Sequence, residues 1–547
     1  MSEPTNNQPL VERFYALLIQ FYPQDFRTKF GDEMLQTFGD QWRAELELAS
    51  TFRKLAFWGD VVIDFVTTAP FEYLSKGENM ENVEKDLRWD LRFGVQLFLR
   101  HSVIALKYAV WAGISLLGLY AIAIMAVALY SSHEARRMEE TVNQTWIKAT
   151  GQTPQEAYES ILKHFPKSGK NKSAIEVEKI AARLGVEYPE PGKEGGSRAH
   201  GQIGPFYSED GPPFLKTQLA KPFDEIDPPP PYIQEYLHTH RSDLDELYAL
   251  VLQNENPQWE IDIQKGFSAP VPSLFFDRRL QAIITVDILE KTRRGEHKKA
   301  LEAFEASWKI NQSLRNRIEM ISQYISSQVL NRQAGTLRKM KEVPPEWQQR
   351  ISQVNLFDSM LQSMVLDASV FGQVLADPIE RIYATGWDNL FLTAPWSGPL
   401  RRLIVLQNLE LTGELIAELQ KTGICGFDPE SFRKIIEGKT SRWVFGNNYV
   451  LFNTERPFID RLKTSLYLEL AQKILQTRGE FANLKLNRFQ FDEIQWKSSV
   501  CSEASWIREI SPEGTVHISV IGIPEWLKMD DRLLRFPLEY SLPIKNL

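Results

Sequence analysis

The sequence predicts a mainly α-helical protein that crosses a membrane once. Apolar residues recur at helical spacing through most of the chain, one run is apolar enough to span a bilayer, and strand-like alternation is confined to the tail. We expect a small N-terminal helical bundle, one transmembrane helix, a large helical, repeat-like soluble domain and a small C-terminal β element. The expected boundaries are 1–100 for the bundle, 104–132 for the span, 133–231 for a helical stalk with a Pro/Gly-rich linker, 232–485 for the helical domain and 486–547 for a small α+β cap.

Length and composition fit a membrane-anchored globular protein. The 547 residues suffice for about two to four domains, and 43% hydrophobic with 24% charged residues is typical of folded proteins. A formal net charge of -8 disfavours a nucleic-acid partner, since phosphate binding needs a concentrated basic surface and no basic stripe is present. The single run of membrane-spanning length excludes a multi-span transporter.

The span is predicted from the run YAVWAGISLLGLYAIAIMAVALY, Tyr108 to Tyr130. The run contains no charged residue, and a helix of roughly 20 apolar residues crosses a hydrocarbon core about 30 Å thick. Lys107 precedes the run, and Arg136 and Arg137 follow it. Because residues 1–10 are polar, we expect the run to act as an uncleaved signal anchor. The lipid bilayer is therefore a predicted partner.

The span also carries a candidate contact face for a second helix. Ala109 and Gly113 have the small-xxx-small spacing that permits close approach of two helices, so they are a candidate dimer face. Tyr120 sits mid-span, where its hydroxyl needs a partner or a packed surface. The alternative interpretation, a helix buried in a soluble core, lacks a comparable apolar partner elsewhere in the chain.

Short amphipathic helices are predicted before the span. Apolar positions three to four residues apart predict a first helix that ends near Tyr22, a second over 26–38 and a third over 51–65. Residues 76–85 form a polar linker, and 86–100 form a basic and aromatic amphipathic helix suited to a membrane surface. Three short helices can make the small bundle.

The segment LIQFYPQDFRTKFGDEMLQTF resembles the cytoplasmic prefix of ADOP-type orphan ABC permeases of bacteria, a macrolide-exporter-like family. A Pro-x-x-Phe-Arg motif, an aromatic-Gly pair, a Glu-Met pair and a later Phe carry the resemblance: Pro23, Phe26, Arg27, Phe30, Gly31, Glu33, Met34 and Phe38. Later parts of that prefix are matched by Ala69-Pro70 with Glu72, and by Asp86-Leu87-Arg88-Trp89 with Leu91-Arg92. The resemblance covers about residues 10–130 and implies a cytoplasmic N-terminal module.

The chain departs from that family after its first span. His101-Ser102-Val103 stands where the family has Pro-Gly-Phe, and no further span follows. The resemblance therefore implies the anchor module and not transport. From Trp259 to Leu337, and again in the tail, the chain resembles uncharacterised bacterial envelope proteins, which implies no activity.

Beyond the span the pattern stays helical with one interruption. Proline and glycine between Tyr188 and Pro231 predict a non-helical, extended linker with some packed segments, because proline removes a backbone donor and glycine adds chain entropy. The main helical domain is expected to start near Tyr232.

Two local structures are predicted further along. Gly295, Ala300 and Phe304 match the second half of a tetratricopeptide repeat, which predicts a helical hairpin. Residues 505–520 predict two strands joined by the turn 511–514, with proline in its second position and glycine in its fourth.

No catalytic motif is recognised in the sequence. It contains no Gly-x-Ser-x-Gly elbow, phosphate-binding glycine loop, His-Glu-x-x-His or Cys-x-x-Cys motif. His238 and His240 are candidate metal ligands, but side chains two residues apart on a helix point about 200° apart. A solvated helix start capped by Ser242 or Asp243 is the simpler interpretation. We therefore expect no metal, no cofactor and no catalytic residue.

Two other sets of residues are candidate sites. The glycine- and proline-marked segment GWDNLFLTAPWSGP is the candidate ligand or partner loop through Trp387, Phe391 and Trp396, and packing of these rings between helices is the alternative. Cys425 and Cys501 both follow the span and can form a disulfide if that side of the membrane is oxidising. Buried unpaired thiols are the alternative.

Three functional hypotheses follow. The first is a single-pass, membrane-anchored envelope protein, a non-enzymatic interaction or scaffold protein. Its helical outer domain binds a protein partner, and its N-terminal bundle lies in the cytoplasm. The second is an accessory or regulatory component of an ABC-type export system, joined to a permease through the prefix-like module. The third is a membrane-anchored enzyme of unrecognised class.

The predicted topology has the N-terminus in the cytoplasm and residues 139–547 outside the inner membrane of a bacterium. Basic residues flank the span almost equally, so the positive-inside rule favours this orientation only slightly. They are Arg88, Arg92, Arg100 and Lys107 before the span, and Arg136, Arg137 and Lys148 after it. The cytoplasmic location of the permease prefix favours the same orientation.

Overall fold

The computed structural model describes residues 15–48 except 17, 21 and 23, residues 61 and 64, and residues 80–186, 212–268, 274–376, 397–440, 455–483, 494–529 and 537–543. They belong to two compact units, Met1–Tyr120 and Ala121–Leu547. The chain is mainly helical, has one long apolar helix and carries a small four-stranded antiparallel sheet near its C-terminus. The predicted fold class is thus confirmed.

The described helices and strands follow one another in this order. The helices are α1 Gln24–Leu48, α2 Met80–Thr150, α3 Pro154–His164, α4 Lys172–Arg183, α5 Pro213–Ala220, α6 Pro231–Thr239, α7 Arg241–Gln253, α8 Leu274–Arg293, α9 His297–Arg315, α10 Met320–Lys339, α11 Glu346–Ser352, α12 Leu356–Ala376, α13 Gly398–Thr422, α14 Pro429–Thr440, α15 Glu455–Asn483 and α16 Glu525–Met529. The strands are β1 Ile494–Lys497, β2 Ser505–Ile510, β3 Thr515–Ile521 and β4 Glu539–Pro543.

The first unit contains α1, whose apolar residues repeat every four positions along one face. This helix covers the predicted range 26–38 and extends it to Leu48. Of the predicted third helix of the bundle, only Val61 and Asp64 lie among the described residues.

Helix α2 differs from the prediction because it is continuous from Met80 to Thr150. The sequence predicted a polar linker over 76–85, a separate amphipathic helix over 86–100 and a span over 104–132. No proline occurs between Pro70 and Pro154, so nothing in this stretch removes a helical hydrogen bond. The helix ends at Gly151, whose positive φ of 78° suits a residue without a side chain.

The environment of the α2 side chains changes at Ser131, in the second half of the helix. Large apolar side chains from Trp111 to Tyr130 are exposed, with Leu117 at 68%. Among the described residues this is the one helix that is long and apolar enough to cross a membrane. From Ser131 onward, one face of the helix is buried in the second unit.

Trp146 fastens α2 to α13. Its side chain is fully buried, and its Nε1 donates a hydrogen bond of 2.6 Å to the Leu409 carbonyl. A side chain at Gly413 would meet the Trp146 ring at 2.9 Å, so the absence of a Cβ there lets the indole approach the helix. About two turns before Trp146, toward the exposed apolar stretch, Glu139 pairs with Arg402 at 2.8 Å.

The main core draws on three segments that the sequence treats as separate. One hydrophobic cluster includes Val177 of the predicted stalk, Leu289 of the helical domain and Trp506 of the predicted cap. The predicted irregular linker also contains helix α5, which places Leu215 and Leu219 in this core. The expectation that the stretch holds no helix was wrong here, because proline is tolerated in the first turn of a helix, where its N–H would have no partner.

Helices α8 and α9 form the predicted hairpin. Gly295 between them has a φ of 77°, and Ala300 and Phe304 are buried as expected. A polar network crosses the packed faces, with Ser307 donating to Gln281 at 2.6 Å and accepting from Gln333 of α10 at 2.8 Å. Because each of these contacts satisfies a buried polar group, the network fixes how the three helices meet.

The sheet is a meander in the order β1-β2-β3-β4, with all neighbours antiparallel. The predicted turn joins β2 to β3, where Gly514 has a φ of 77° and the Ser511 N–H donates to the Thr515 carbonyl at 2.8 Å. On β4, the Tyr540 hydroxyl lies 2.9 Å from the Asp224 carboxylate. Asp224 also pairs with Arg478 of α15 at 2.6 Å, so the sheet, α15 and the segment after α5 meet at one carboxylate.

Replacing Trp146 with alanine tests the fastening of α2. We expect Trp146→Ala to lower the free energy of unfolding by about 3–5 kcal/mol, because it removes a large buried side chain and leaves a cavity. Urea unfolding of the full chain in detergent micelles measures the change. Ile147→Ala is the control, since Ile147 is 50% exposed and should cost less than about 1 kcal/mol. Equal losses in the two variants would contradict this role for Trp146.

Candidate functional site

The candidate aromatic loop falls between two described segments. Trp387, Phe391 and Trp396 lie outside the described residues. The chain on either side is described as far as Ala376, at the end of α12, and from Ser397, just before α13. The loop stays a prediction.

The candidate metal ligands near residue 240 lie in different elements. His238 lies in the last turn of α6, whereas His240 follows that helix and precedes α7. Asp243 is paired with Arg183 at 2.7 Å, and this hydrogen bond lowers the pKa of the Asp243 carboxyl. Among the described residues, no group of three or more His, Cys, Asp or Glu side chains could hold a metal ion.

The predicted cap of α7 was wrong. The structure has His240 at the N-cap position without a side-chain hydrogen bond to the helix backbone, although its Nδ1 lies 3.4 Å from the Asp243 carboxylate, and the helix begins at Arg241. Ser242 and Asp243 therefore lie inside the first turn. Asp243 still favours the helix start, because a carboxylate near the N-terminus interacts with the helix dipole.

The first unit contains a cleft of about 740 Å³ lined mainly by apolar side chains, among which the aromatic ones are the most numerous. Its base is formed by Ile19, Tyr22 and Phe38, which are all almost fully buried. The half-buried side chains of Phe26 and Phe30 belong to its wall. The remaining described lining residues are Tyr15, Leu18, Glu33, Met34, Thr37, Gln41, Val61 and Asp64.

Ring contacts fix the aromatic surface of the cleft. The rings of Tyr15 and Phe38 stack with centroids 4.0 Å apart, those of Tyr22 and Phe26 lie 5.1 Å apart, and Phe26 and Phe30 are 5.0 Å apart. The α1 residues share one face because positions four apart on a helix lie above one another. The result is a preformed apolar surface along α1.

The cleft has an acidic edge. The described lining contains two carboxylates, Glu33 and Asp64, and neither lysine nor arginine. Burial raises the pKa of the Tyr15 phenol, and the neighbouring Tyr22 and Asp64 add to the effect. The raised pKa keeps the phenol protonated at physiological pH, so Tyr15 adds no charge to the cleft. Such a surface suits an apolar group that carries a positive charge at its margin.

Sequence reasoning found part of this cleft. The repeat of Phe26, Phe30 and Phe38 was recognised as a helical face, but the sequence assigned these rings to the interior of a bundle. Tyr15 and Asp64 gave no signal, because their approach to α1 depends on the tertiary path of the chain.

The candidate dimer face lies on α2. A Cβ placed on Gly113 would meet no atom of the described residues within 4 Å, so the helix surface there is open to a neighbouring helix. Ala109 lies one turn earlier in the same helix. Dimerisation stays a prediction.

A buried polar cluster in the second unit has the residue types of an active site but the contacts of a structural network. Asp287 is fully buried and accepts hydrogen bonds from Tyr248 at 2.8 Å and Lys291 at 2.6 Å, while Arg241 contributes a third at 3.1 Å. Burial, with the Asp287 charge, raises the pKa of Tyr248. The three donors all point at one carboxylate, so the cluster ties α7 to α8.

Cys425 and Cys501 are joined by a disulfide. Their Cα atoms are 5.3 Å apart, and the bond links the segment after α13 to the segment between β1 and β2. The second segment is also held to α15, because Glu469 accepts hydrogen bonds from the hydroxyls of Ser498 and Ser499 at 2.5 and 2.9 Å. A disulfide here is consistent with an oxidising compartment outside the cytoplasm.

Removing the disulfide tests its contribution. We expect the double variant Cys425→Ser/Cys501→Ser to lose about 2–4 kcal/mol of unfolding free energy, because the unfolded chain is no longer constrained by the closed loop. Urea unfolding with and without a reductant measures this loss. The reductant should destabilise the native chain to the level of the variant and leave the variant unchanged. The disulfide would be contradicted if the reductant leaves the unfolding free energy of the native chain unchanged and two free thiols can be titrated in that chain.

The comparisons with known proteins give no family to this chain. No protein-family model, curated protein or solved structure matches it.

Proposed function

We propose that the chain is a single-pass, membrane-anchored, non-enzymatic interaction or scaffold protein of a bacterial inner membrane. The observation that carries this proposal is the aromatic cleft of the first unit, next in the sequence to a helix suited to a membrane. The cleft offers an apolar surface with a polar edge, which is what a binding groove for an amphipathic helix requires.

The partner is a protein segment with an apolar face and basic residues beside it. Phe26, Phe30 and Met34 lie one helical turn apart, so they match the i, i+4 and i+8 spacing of apolar residues on a docking helix. Glu33 and Asp64 at the edge favour lysine or arginine on the partner, because opposite charges at a rim guide association.

A second candidate is an accessory or regulatory role in an ABC-type export system. The observation that favours it is an overlap between two sets of residues. Of the residues that carry the resemblance to the permease prefix, five line the cleft: Phe26, Phe30, Glu33, Met34 and Phe38. In this role the partner would be a permease, and recovery of a permease with the detergent-extracted chain would distinguish it from a general scaffold role.

Photocrosslinking tests the cleft directly. With p-benzoylphenylalanine in place of Met34, irradiation of intact cells should give a discrete crosslinked product, identified by mass spectrometry as a partner peptide. The same probe in place of Gln36, which is exposed and two residues along α1, should give no product. In the Met34 chain, Phe30→Ala should reduce the product more than about tenfold, because truncating a central interface aromatic typically costs about 2 kcal/mol. Equal products from both positions, or crosslinks only within the chain, would refute the proposal.

We also propose the N-inside topology, which the disulfide supports because such bonds persist in oxidising compartments. A reporter that is active only outside the cytoplasm should be active when fused after Leu547. The same reporter fused before Arg13 should be silent. The reverse pattern would overturn the topology.

A further inference from the structure

A cluster of three aromatic side chains joins α9 to α11 in the second unit. The rings of Trp308 and Trp347 meet edge to face with centroids 5.2 Å apart, and the Phe304 ring meets Trp347 in the same way at 4.8 Å. All three side chains are buried. Because edge-to-face contacts fix the rings relative to one another, the cluster is a rigid support for the side chains that cover it.

Two arginines stack on this cluster. The Cζ atom of Arg315 lies 4.2 Å from the centroid of the Trp308 ring, and the Cζ atom of Arg350 lies 4.0 Å from that of Trp347. The face of an aromatic ring attracts a cation, and a planar guanidinium stacks on it well. Each guanidinium is therefore held in place by a buried indole.

The two arginines differ in their partners. Both terminal nitrogens of Arg350 donate to the Glu305 carboxylate, at 2.5 and 2.8 Å. Among the residues that the structure describes, Arg315 has neither an ion pair nor an acceptor for its guanidinium, and it is the last residue of α9. Its Nε is enclosed without a partner, while the side chain as a whole is half-buried, so its outer part reaches solvent.

The positive charge of Arg315 is thus held without a counter-ion. Burial lowers the pKa of Arg315 to about 10, and the neighbouring charge of Arg350 adds to the effect. The guanidinium stays protonated at physiological pH, although it has lost part of its hydration. The Trp308 ring and the negative end of the α9 dipole offset part of this cost. An anion that reaches the group would complete the offset.

A second donor lies beside Arg315. Gln312 is one turn earlier on α9, and residues three apart on a helix are neighbours on its surface. The Gln312 side chain is half-buried, and its amide makes no hydrogen bond within the described parts of the chain. Trp308 precedes Gln312 by four positions, so the indole, the amide and the guanidinium share one face of the helix.

We propose that Arg315 and Gln312, supported by Trp308, form a binding site for an oxyanion, either a carboxylate or a phosphate group. The fork of a guanidinium matches two oxygens of such a group, and the amide supplies a further donor. Glu305 already balances Arg350, so these three charged side chains leave one excess positive charge, which suits a single anionic group. The site belongs to the second unit and is independent of the function proposed for the aromatic cleft.

Unfolding equilibria test the proposal. The full chain in detergent micelles is unfolded by urea in increasing sodium phosphate or sodium succinate, with sodium chloride added to keep the ionic strength constant. A ligand that binds only the folded state lowers the unfolding equilibrium constant by the factor 1 + [L]/Kd, which is about tenfold at ten times Kd. A response to phosphate, to succinate or to both identifies the oxyanion that the site accepts.

Three variants assign the response to the site. Arg315→Gln should abolish it, and Gln312→Ala should raise Kd severalfold. Lys298→Gln is the matched control and should respond as the native chain does, since it removes an exposed positive charge about 25 Å away on the same helix. Stabilisation by excluded salt is common to all four chains.

Two outcomes would overturn the proposal. In the first, neither anion stabilises the native chain more than it stabilises Arg315→Gln. In the second, Lys298→Gln loses the response as fully as Arg315→Gln does. If Arg315→Gln does not fold, Gln312→Ala decides, and a Kd equal to that of the native chain refutes the site.

Discussion

The second unit depends on one constraint. At Ser131, helix α2 passes from a stretch with exposed apolar side chains to a stretch that packs against the protein. From Trp111 to Tyr130 the large apolar side chains of the helix are exposed, as is expected of a helix suited to cross a membrane. From Ser131 the same helix must bury one face against protein. Trp146 makes this possible, because its indole fills the space left by Gly413 and its N–H is satisfied by the Leu409 carbonyl.

Elsewhere in this unit, buried charged groups connect elements that are distant in sequence. Asp224 joins Arg478 and Tyr540, and Asp287 joins Tyr248 and Lys291. A buried carboxylate needs charged or polar donors beside it, so each cluster favours the arrangement that brings its donors together. The main effect of such clusters is to determine how the helices and the sheet pack together. Their contribution to net stability is small.

Local signals in the sequence predicted local structure well. The four-residue repeat from Phe26 to Phe38 predicted α1, Gly295 predicted the turn of a hairpin, and the 511–514 turn predicted two strands, since each depends on neighbouring residues. The remaining features depend on tertiary contacts. The partners Trp146 and Leu409, or Asp224 and Arg478, are hundreds of residues apart and have no periodic signature. Helix α5 was missed because proline, which disrupts the interior of a helix, here begins one.

The lack of a break in α2 has a mechanical consequence. Between Ala121 and Thr150 the backbone hydrogen bonds run without interruption, so this part of the helix resists bending and twisting. A torque applied to the exposed apolar stretch near Met125 would turn Glu139 and Trp146 by the same angle. Both side chains contact α13, so α2 and the helices packed around it would rotate together about the axis of α2.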